Sequence, residues 1–362
     1  MKNVAIVISG MGTGGAEISI INLIPKFTEV CKLTLVILQN LPKELVLPKS
    51  ENLEVIRLNA SSLKDFRKLI ILRKLLKRYD LIIAHLYWAQ IWTGLIRLFS
   101  RKSLAKLIWV EQNTYINRTY VEWMTFKIMA KSVSTIYGVS EEVGDYVKNK
   151  TNLKTEVLYN SIVVPEDLRA LSHPVINSGI VNVAFYGRLV PQKNPFLAVS
   201  VFQNFRTDIP NAPEVRFNII GDGSLGDEMR SQLKGKESVE FFGLLPKDKA
   251  LKILAKNHIY LSCSDYEGFQ LARFEALALG LCVISTKTAG YKFLLNYFGT
   301  EEKMRDAGVF FVSADVGEII YSINLLLNQK YWSNEKILIR KSIAELLSPD
   351  KIMSKLFENS NI

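Results

Sequence analysis

Twelve short apolar runs, each about the length of one strand, punctuate this chain, and helical patterns separate most of them. In the first 160 residues they read VAIVIS (4–9), LTLVIL (33–38), LEVIRL (53–58), LIIAH (81–85), KLIWVE (106–111), TIYGVS (135–140) and EVLYN (156–160). The rhythm lapses over 160–182, among prolines and turn formers. It restarts with VNVAFYGRL (181–189), VRFNIIGDG (215–223), VEFFG (239–243), HIYLSCS (258–264) and LCVIST (281–286). Strands alternating with helices specify a parallel sheet, because parallel neighbours are joined by a crossover long enough to hold a helix. The pattern occurs twice, and 362 residues exceed one ordinary core. The chain therefore reads as two Rossmann-like, doubly wound α/β domains facing a central cleft. They cover residues 1–165 and 181–348, with a linker at 166–180.

Composition narrows the function. Three cysteines, Cys31, Cys263 and Cys282, are widely spaced in apolar runs, which fits neither a disulfide framework nor a zinc site and suits a reducing cytosol. Three histidines argue against a histidine-built metal centre, and no metal or cofactor is expected. The apolar residues after Lys2 are too few for a signal peptide. The stretch 81–99 nears the length of a membrane span, but His85, Gln90 and Thr93 interrupt it, so it reads as a strand followed by an amphipathic helix. The formal net charge is +11, and residues 63–79 carry seven Lys or Arg among Leu, Ile and Phe at helical spacing. Two readings fit that segment: a helix lying on anionic lipid, or a surface helix packed on a sheet. Trp88, Trp92, Arg97, Arg101 and Lys102 follow and tip the balance towards a membrane-facing N-terminal half. No recognition helix, RNA-binding signature or zinc finger supports nucleic acid as the partner.

After the first run stands SGMGTGGAE (9–17), whose Gly10, Gly12 and Gly15 match the dinucleotide fingerprint. That fingerprint also needs an acid at the end of the second strand to hold the ribose hydroxyls, and LTLVIL ends in Gln39-Asn40. Glu17 falls in the first helical turn, where its charge competes with a bound pyrophosphate. Ala16 stands where a P-loop needs lysine. The glycines still let a ligand approach the backbone.

The second half carries three further segments. In YGRLVPQKNP (186–195), Arg188 and Lys193 lie on a loop at a strand's carboxyl end, which suits a diphosphate; alone, they equally fit a pair of surface charges. In IIGDGSL (219–225), Gly221 and Gly223 form a turn against which another group can close. In SDYEGFQLARFEALALG (264–280), Glu267 stands at the mouth of a turn and Gly268, Phe269, Gln270 and Leu271 lead into a helix. Glu275 is expected about two turns into that helix, with the amides of 268–271 forming an anion site. Two carboxylates there suit the vicinal hydroxyls of a sugar and a ribose. Taken alone, the segment reads better as a capped amphipathic helix with two solvated glutamates; together, the three segments favour a sugar nucleotide.

With these residues assembled, the chain resembles the GT-B fold glycosyltransferases of the large retaining family 4 type. The resemblance rests on Gly14-Gly15-Ala16-Glu17, Tyr159-Asn160-Ser161-Ile162, Gly187-Arg188-Leu189 with Lys193-Asn194, Gly221-Asp222-Gly223, Phe242-Gly243 and the Glu-x7-Glu of Glu267 and Glu275, in the family's order over nearly the whole chain. It implies a C-terminal nucleotide-sugar domain with Arg188 and Lys193 on the phosphates. Glu275 would take the ribose and Glu267 the transferred sugar. Gly221 and the backbone around Gly268, Phe269, Gln270 and Leu271 would line the donor, and Leu244 and Leu245 would meet the base. It implies an N-terminal acceptor domain, rejoined by a C-terminal helix at 349–362, in which Gly14 and Gly15 close over the diphosphate and Glu17 stands beside them. His85 and Glu111 are the polar groups expected near the acceptor or transferred sugar. The resemblance implies transfer with retention of configuration and without a metal, with a UDP-sugar as the favoured donor and a glycan as acceptor; the basic, aromatic N-terminal half adds the expectation that this glycan is lipid-linked, on the cytoplasmic face of the cell membrane, in cell-surface polysaccharide or lipopolysaccharide synthesis. Two alternatives are a non-catalytic nucleotide-sugar-binding partner and a nucleotide-sugar epimerase of the same fold. Gln112 stands where the family often has histidine, and Gln270 and Arg273 are unusual neighbours of the two glutamates.

Overall fold

The computed structural model describes residues 1–12, 14–40, 46–100, 105–114, 118–171 and 179–358. Arg101 and Lys102, part of the basic stretch noted above, lie outside them, as do 172–178 of the expected linker and 359–362 of the expected C-terminal helix. The chain divides into two compact units, Met1–Ser161 with Leu347–Ile362, and Ile162–Leu346.

Among the described residues the first unit holds a seven-stranded sheet in the order β3-β2-β1-β4-β5-β6-β7, all parallel. Its strands are β1 (Lys2–Ile8), β2 (Cys31–Ile37), β3 (Leu53–Arg57), β4 (Leu81–His85), β5 (Lys106–Glu111), β6 (Thr135–Gly138) and β7 (Glu156–Val157). Its helices are α1 (Gly15–Val30), α2 (Phe66–Leu76), α3 (Tyr87–Leu98), α4 (Tyr120–Ala130) and α5 (Glu141–Thr151). Helices on both sheet faces explain why residues 4–8 of β1 and 81–84 of β4 read as unbroken apolar runs rather than alternating ones. Leu72 and Leu76 of α2, Trp92 and Ile96 of α3, and Trp123 and Phe126 of α4 share one core with the inward residues of the sheet. Trp92, one of the residues that tip the sequence towards a membrane-facing half, is buried and donates its Nε1–H to the Leu63 carbonyl at 3.0 Å, and Trp88 packs half-buried on the same core. Local signals set the helix starts: Thr119 and Glu122 form a reciprocal capping box at α4, and Ser140 caps α5.

The second unit holds a six-stranded parallel sheet in the order β10-β9-β8-β11-β12-β13. Its strands are β8 (Ile180–Tyr186), β9 (Glu214–Ile220), β10 (Val239–Gly243), β11 (Ile259–Ser262), β12 (Cys282–Thr286) and β13 (Val309–Val312). The last, VFFV, is not among the runs read from sequence; it is four residues long and stands two residues after a helix. The helices are α6 (Glu166–Ala170), α7 (Pro195–Asn204), α8 (Gly226–Gln232), α9 (Lys247–Leu254), α10 (Leu271–Ala278), α11 (Tyr291–Phe298), α12 (Glu301–Asp306), α13 (Val316–Leu326), α14 (Asn334–Lys341) and α15 (Ile343–Leu346). Arg340 of α14 is fully buried and donates to the carbonyls of Gly280, Ala307 and Tyr331 at 2.8–3.1 Å, tying the end of this unit to its sheet. The chain then returns to the first unit as α16 (Pro349–Glu358), where Phe357 meets Phe27 edge-on and Asp350 pairs with Lys26 at 3.1 Å. No helix among the described residues is long and apolar enough to cross a membrane, and 81–98 forms β4 and α3 as expected.

Candidate active site

In the second unit the chain runs from β8 outward to β9 and β10, then back to β11 on the other side of β8. Loops leaving the carboxyl ends of two such strands diverge, and ligands of open parallel sheets bind in the crevice this opens. Here the base of that crevice is zipped together. Gln192 donates to the Tyr266 carbonyl at 3.0 Å, Asp265 donates its N–H to the Gln192 carbonyl at 3.0 Å, and Asn194 donates to Asp265 at 2.9 Å. These bonds hold Lys193, at the end of a short 3-10 turn, in an ion pair with Glu267, whose side chain is only 7% exposed. Arg188 is exposed at the same strand end and has no ion-pair partner among the described residues.

Two glycines make this geometry sterically feasible. Gly221 has φ 136, and a Cβ there would stand 1.9 Å from the Gly187 carbonyl oxygen. A Cβ on Gly223 would stand 2.4 Å from the Leu189 carbonyl oxygen. The group that closes on the Gly221–Gly223 turn is thus the Arg188 loop itself, held by Leu189 N–H to the Asp222 carbonyl at 3.0 Å and Leu225 N–H to the Leu189 carbonyl at 2.9 Å.

Helix α10 begins at Leu271, so Glu275 stands one turn into it rather than two. The chain reaches that helix through Gln270 at φ 49, a left-handed conformation that costs a non-glycine residue on the order of 1 kcal/mol. The cost is met by side-chain bonds: the buried Gln270 amide donates to Ser262 and, at 3.3 Å, to Ser264 at the end of β11. No side chain caps the first turn of α10, which leaves its opening amides for an anion. Phe269 is buried, stacked on Phe274 at 4.3 Å between ring centroids, and Leu271 is buried too, so these residues can offer a ligand only their backbone. Gly268 lies between Glu267 and this buried pair. Leu244 and Leu245 follow β10 directly, the first of them well exposed.

The surroundings of Glu275 contain two residues the sequence did not single out. Lys247, the first residue of α9, pairs with its carboxylate at 3.0 Å. Tyr186, the last residue of β8, hydrogen-bonds to it, and burial together with the Glu275 charge holds the Tyr186 hydroxyl well above its usual pKa. No sequence signal points to either one, since both depend on which strands are neighbours. Arg273, in the first turn of α10 two residues before Glu275, is fully buried. It donates to the Ala289 carbonyl, Ser285 and Thr288 at 2.6–3.1 Å and lies over Phe311, so its work is to hold the loop after β12.

In the first unit the order reverses between β1 and β4. The Ser9 hydroxyl after β1 accepts the Ala89 N–H of α3 at 3.3 Å, bringing the glycine loop and the end of β4 together. Gly14 caps α1 and Gly15 is its first residue; a Cβ on Gly14 would meet Glu17 Oε2 at 2.5 Å. The Glu17 carboxylate thus folds back on the N-terminus of its own helix, where it opposes a bound anion. His85 ends β4 and is followed by Leu86 at φ 68, a strained junction that packing must sustain. Asn160 donates to Gln112 Oε1 at 3.0 Å, and Gln112 Nε2 contacts His85 Nδ1 at 3.1 Å. With the amides so assigned, Nδ1 accepts and the neutral ring carries its proton on Nε2. Burial pushes the His85 pKa down to about 3. Glu111 is fully buried, paired with Arg118 at 3.0 Å and reached by Gln90 at 3.4 Å, while Arg118 lies 4.4 Å over the Trp123 ring. Its carboxylate is occupied inside the unit, anchoring the return of the chain to α4, and burial raises its pKa against the pull of Arg118.

The histidines give a pH test. An unfolded histidine takes up its proton near 6.5, whereas folded His85 does so only near 3 and His258, whose Nδ1 accepts the Asn182 N–H at 3.0 Å, near 4. Between those values unfolding binds protons that the folded chain refuses, so stability falls as pH falls. Each such histidine contributes a slope of about 1.4 kcal/mol per pH unit. Urea unfolding at pH 4.5, 5.5 and 6.5 should show His85→Gln losing about that much slope; an unchanged slope would mean that His85 titrates normally.

Residues 174–343 match the family model described as "Glycosyl transferases group 1". Over 117 residues the chain is 32% identical to a phosphatidylinositol N-acetylglucosaminyltransferase subunit of Arabidopsis thaliana, covering 32% of this chain and 26% of that protein. Over 137 residues it is 29% identical to the N-acetylgalactosamine-N,N'-diacetylbacillosaminyl-diphospho-undecaprenol 4-alpha-N-acetylgalactosaminyltransferase of Campylobacter jejuni subsp. jejuni serotype O:2, covering 37% of this chain and 35% of that protein. The matches thus span about a quarter to a third of these relatives. Among solved structures, Anabaena Alr3699/HepE in complex with UDP superposes with a TM-score of 0.75 at 17% identity over 100% of both chains, and the fold is GT-B.

Proposed function

We propose that this chain, a GT-B protein of the family 4 glycosyltransferase type with a group 1 glycosyltransferase domain over residues 174–343, moves a sugar from a UDP-sugar to a lipid-linked glycan with retention of configuration and without a metal. The observation that carries this reading is the set of groups at the β8 and β11 ends: exposed Arg188, Lys193 paired with Glu267, and Glu275 paired with Lys247. Two cations suit a diphosphate, the uncapped first turn of α10 adds amides for it, and each carboxylate can accept from a pair of vicinal hydroxyls. The sugar's bond to the diphosphate breaks as the acceptor hydroxyl bonds to the same carbon, and the departing phosphate takes the hydroxyl proton. Arg188 and Lys193 stabilise the charge that grows on that phosphate. His85, neutral with its proton on Nε2, donates a hydrogen bond to the acceptor.

A uridine donor is supported by the solved HepE complex with UDP. A lipid-linked acceptor in cell-surface glycan synthesis is supported by the diphospho-undecaprenol in the Campylobacter enzyme's name. The protein then works on the cytoplasmic face of the membrane.

Thermal-shift measurements with UDP-, GDP- and ADP-sugars test the donor assignment. Binding at a hundred times Kd stabilises by about 2.7 kcal/mol and should raise Tm by several degrees for the uridine series. A shift confined to GDP or ADP compounds corrects the base, and no shift with any of them refutes the reading. Slow UDP release in the absence of acceptor separates a transferase from a donor-binding module, which releases none.

A further inference from the structure

We infer that the outer side of the α2–α3–α4 layer is the surface on which this protein lies against an anionic bilayer, a conclusion that rests on the lipid-linked acceptor proposed above. The inner sides of these three helices are consumed in one core. Their outer sides remain apolar. On α2, Phe66 is 67% exposed and Ile70 and Ile71 are exposed beside it, a stripe at i, i+4 and i+5. At the end of α3, Leu98 is exposed and Phe99 is 72% exposed. On α4, Tyr120 and Val121 are 78% and 70% exposed, and Met124 and Ile128 continue the stripe. Isolated apolar residues on a surface need no explanation, but three adjacent helices each presenting them on the same side of one sheet do.

The charge around these residues selects the partner. Residues 64–78 carry seven Lys or Arg against one acid, Asp65, which is the N-cap of α2 and accepts the Lys68 N–H. Arg67, Lys74, Lys77 and Arg78 are exposed between and beyond the apolar residues, and Lys131 is exposed just after α4. Between α2 and α3 runs a shallow groove lined by Leu69, Ile70, Leu95, Ile96 and Phe99, and Arg73 donates from it to the Phe99 carbonyl at 3.3 Å. Apolar side chains that dip into an acyl boundary, ringed by cations that stay among headgroups, match an interface of anionic lipid. A protein partner of mixed charge would leave most of these cations uncompensated. The aromatic residues that serve the contact are Phe66, Phe99 and Tyr120 rather than the tryptophans of α3, which are turned into the core.

The test is co-sedimentation with vesicles of phosphatidylcholine alone and of phosphatidylcholine with phosphatidylglycerol, at low and high salt. The wild type should bind the anionic vesicles and lose at least tenfold in affinity at high salt. Phe66→Ser with Ile70→Ser, and separately Tyr120→Ser with Val121→Ser, should each weaken binding at least tenfold. Because all four side chains point into solvent, Tm and the UDP-induced shift should stay at the wild-type value. No binding by the wild type, or wild-type binding by both variants, overturns the inference. Dimerisation of the wild type in ultracentrifugation that both variants abolish, with vesicle binding unchanged, also overturns it in favour of a second copy as the occupant. A normal UDP shift without vesicle binding sinks this surface alone; vesicle binding without a UDP shift sinks the donor assignment alone.

Discussion

Lys193→Ala should lower kcat by about 10²–10³, the usual effect of removing one preorganised group that stabilises developing charge. Lys193 is the one candidate phosphate contact whose position is fixed on both sides, by the 3-10 turn it closes and by the Glu267 carboxylate it pairs with. Its removal withdraws a cation from the leaving diphosphate and leaves Glu267, only 7% exposed, without that partner. The second effect belongs to stability and has to be separated from the first. Lys193→Arg keeps the charge and the pair, so it should retain a Tm close to wild type while still losing activity if the compact ammonium is what the diphosphate needs. The decisive measurement is single-turnover transfer, or acceptor-free UDP release, at saturating donor. Wild-type turnover in a folded Lys193→Ala protein would remove Lys193 from the site.

Gly221→Ala should prevent the 162–346 unit from folding, a cost above the roughly 4–5 kcal/mol that ordinary substitutions rarely reach. Two penalties coincide there. The backbone sits at φ 136, and the added methyl would lie 1.9 Å from a carbonyl oxygen, not from a side chain able to swing aside. That carbonyl belongs to Gly187, and the loop it starts carries Arg188 and Lys193, so relief by backbone movement would dismantle the donor site. Gly235→Ala is the control: φ is 79, yet nothing lies within 4 Å of the added Cβ. It should cost only the left-handed conformation, about 1–2 kcal/mol. Limited proteolysis and circular dichroism of the two variants distinguish collapse from mild destabilisation. A Gly221→Ala protein as stable as Gly235→Ala would mean the two loops do not interlock.

The strand pattern was legible because parallel strands buried on both faces are continuously apolar along their buried stretch, a local property that 4–8 and 81–84 display without reference to the rest of the chain. The short VFFV strand escaped because four apolar residues carry too short a pattern to show a period of their own. Arg188, Lys193, Glu267 and Glu275 were visible as charged residues at strand ends and helix starts. Lys247 and Tyr186 were not, because nothing near them in sequence announces a partner 28 and 89 positions from them in the chain, at Glu275. Glu111 was visible, but its burial against Arg118 was not, since an acid at a strand end looks the same whether it faces solvent or a guanidinium.

The sequence by itself determined the alternation of strands and helices, the repetition of that alternation, and the residue types at the loops where chemistry sits. Hydrophobic period and turn chemistry are written in neighbouring residues, so they need no fold to be read. Tertiary structure alone decided that β8 lies beside β11, which brings Lys193 to Glu267 across 74 positions. It alone decided which sides of α2, α3 and α4 stay uncovered. Strand order and helix coverage follow from how whole elements pack, and a helical stripe shows only that some face is apolar, not whether the protein or a membrane meets it.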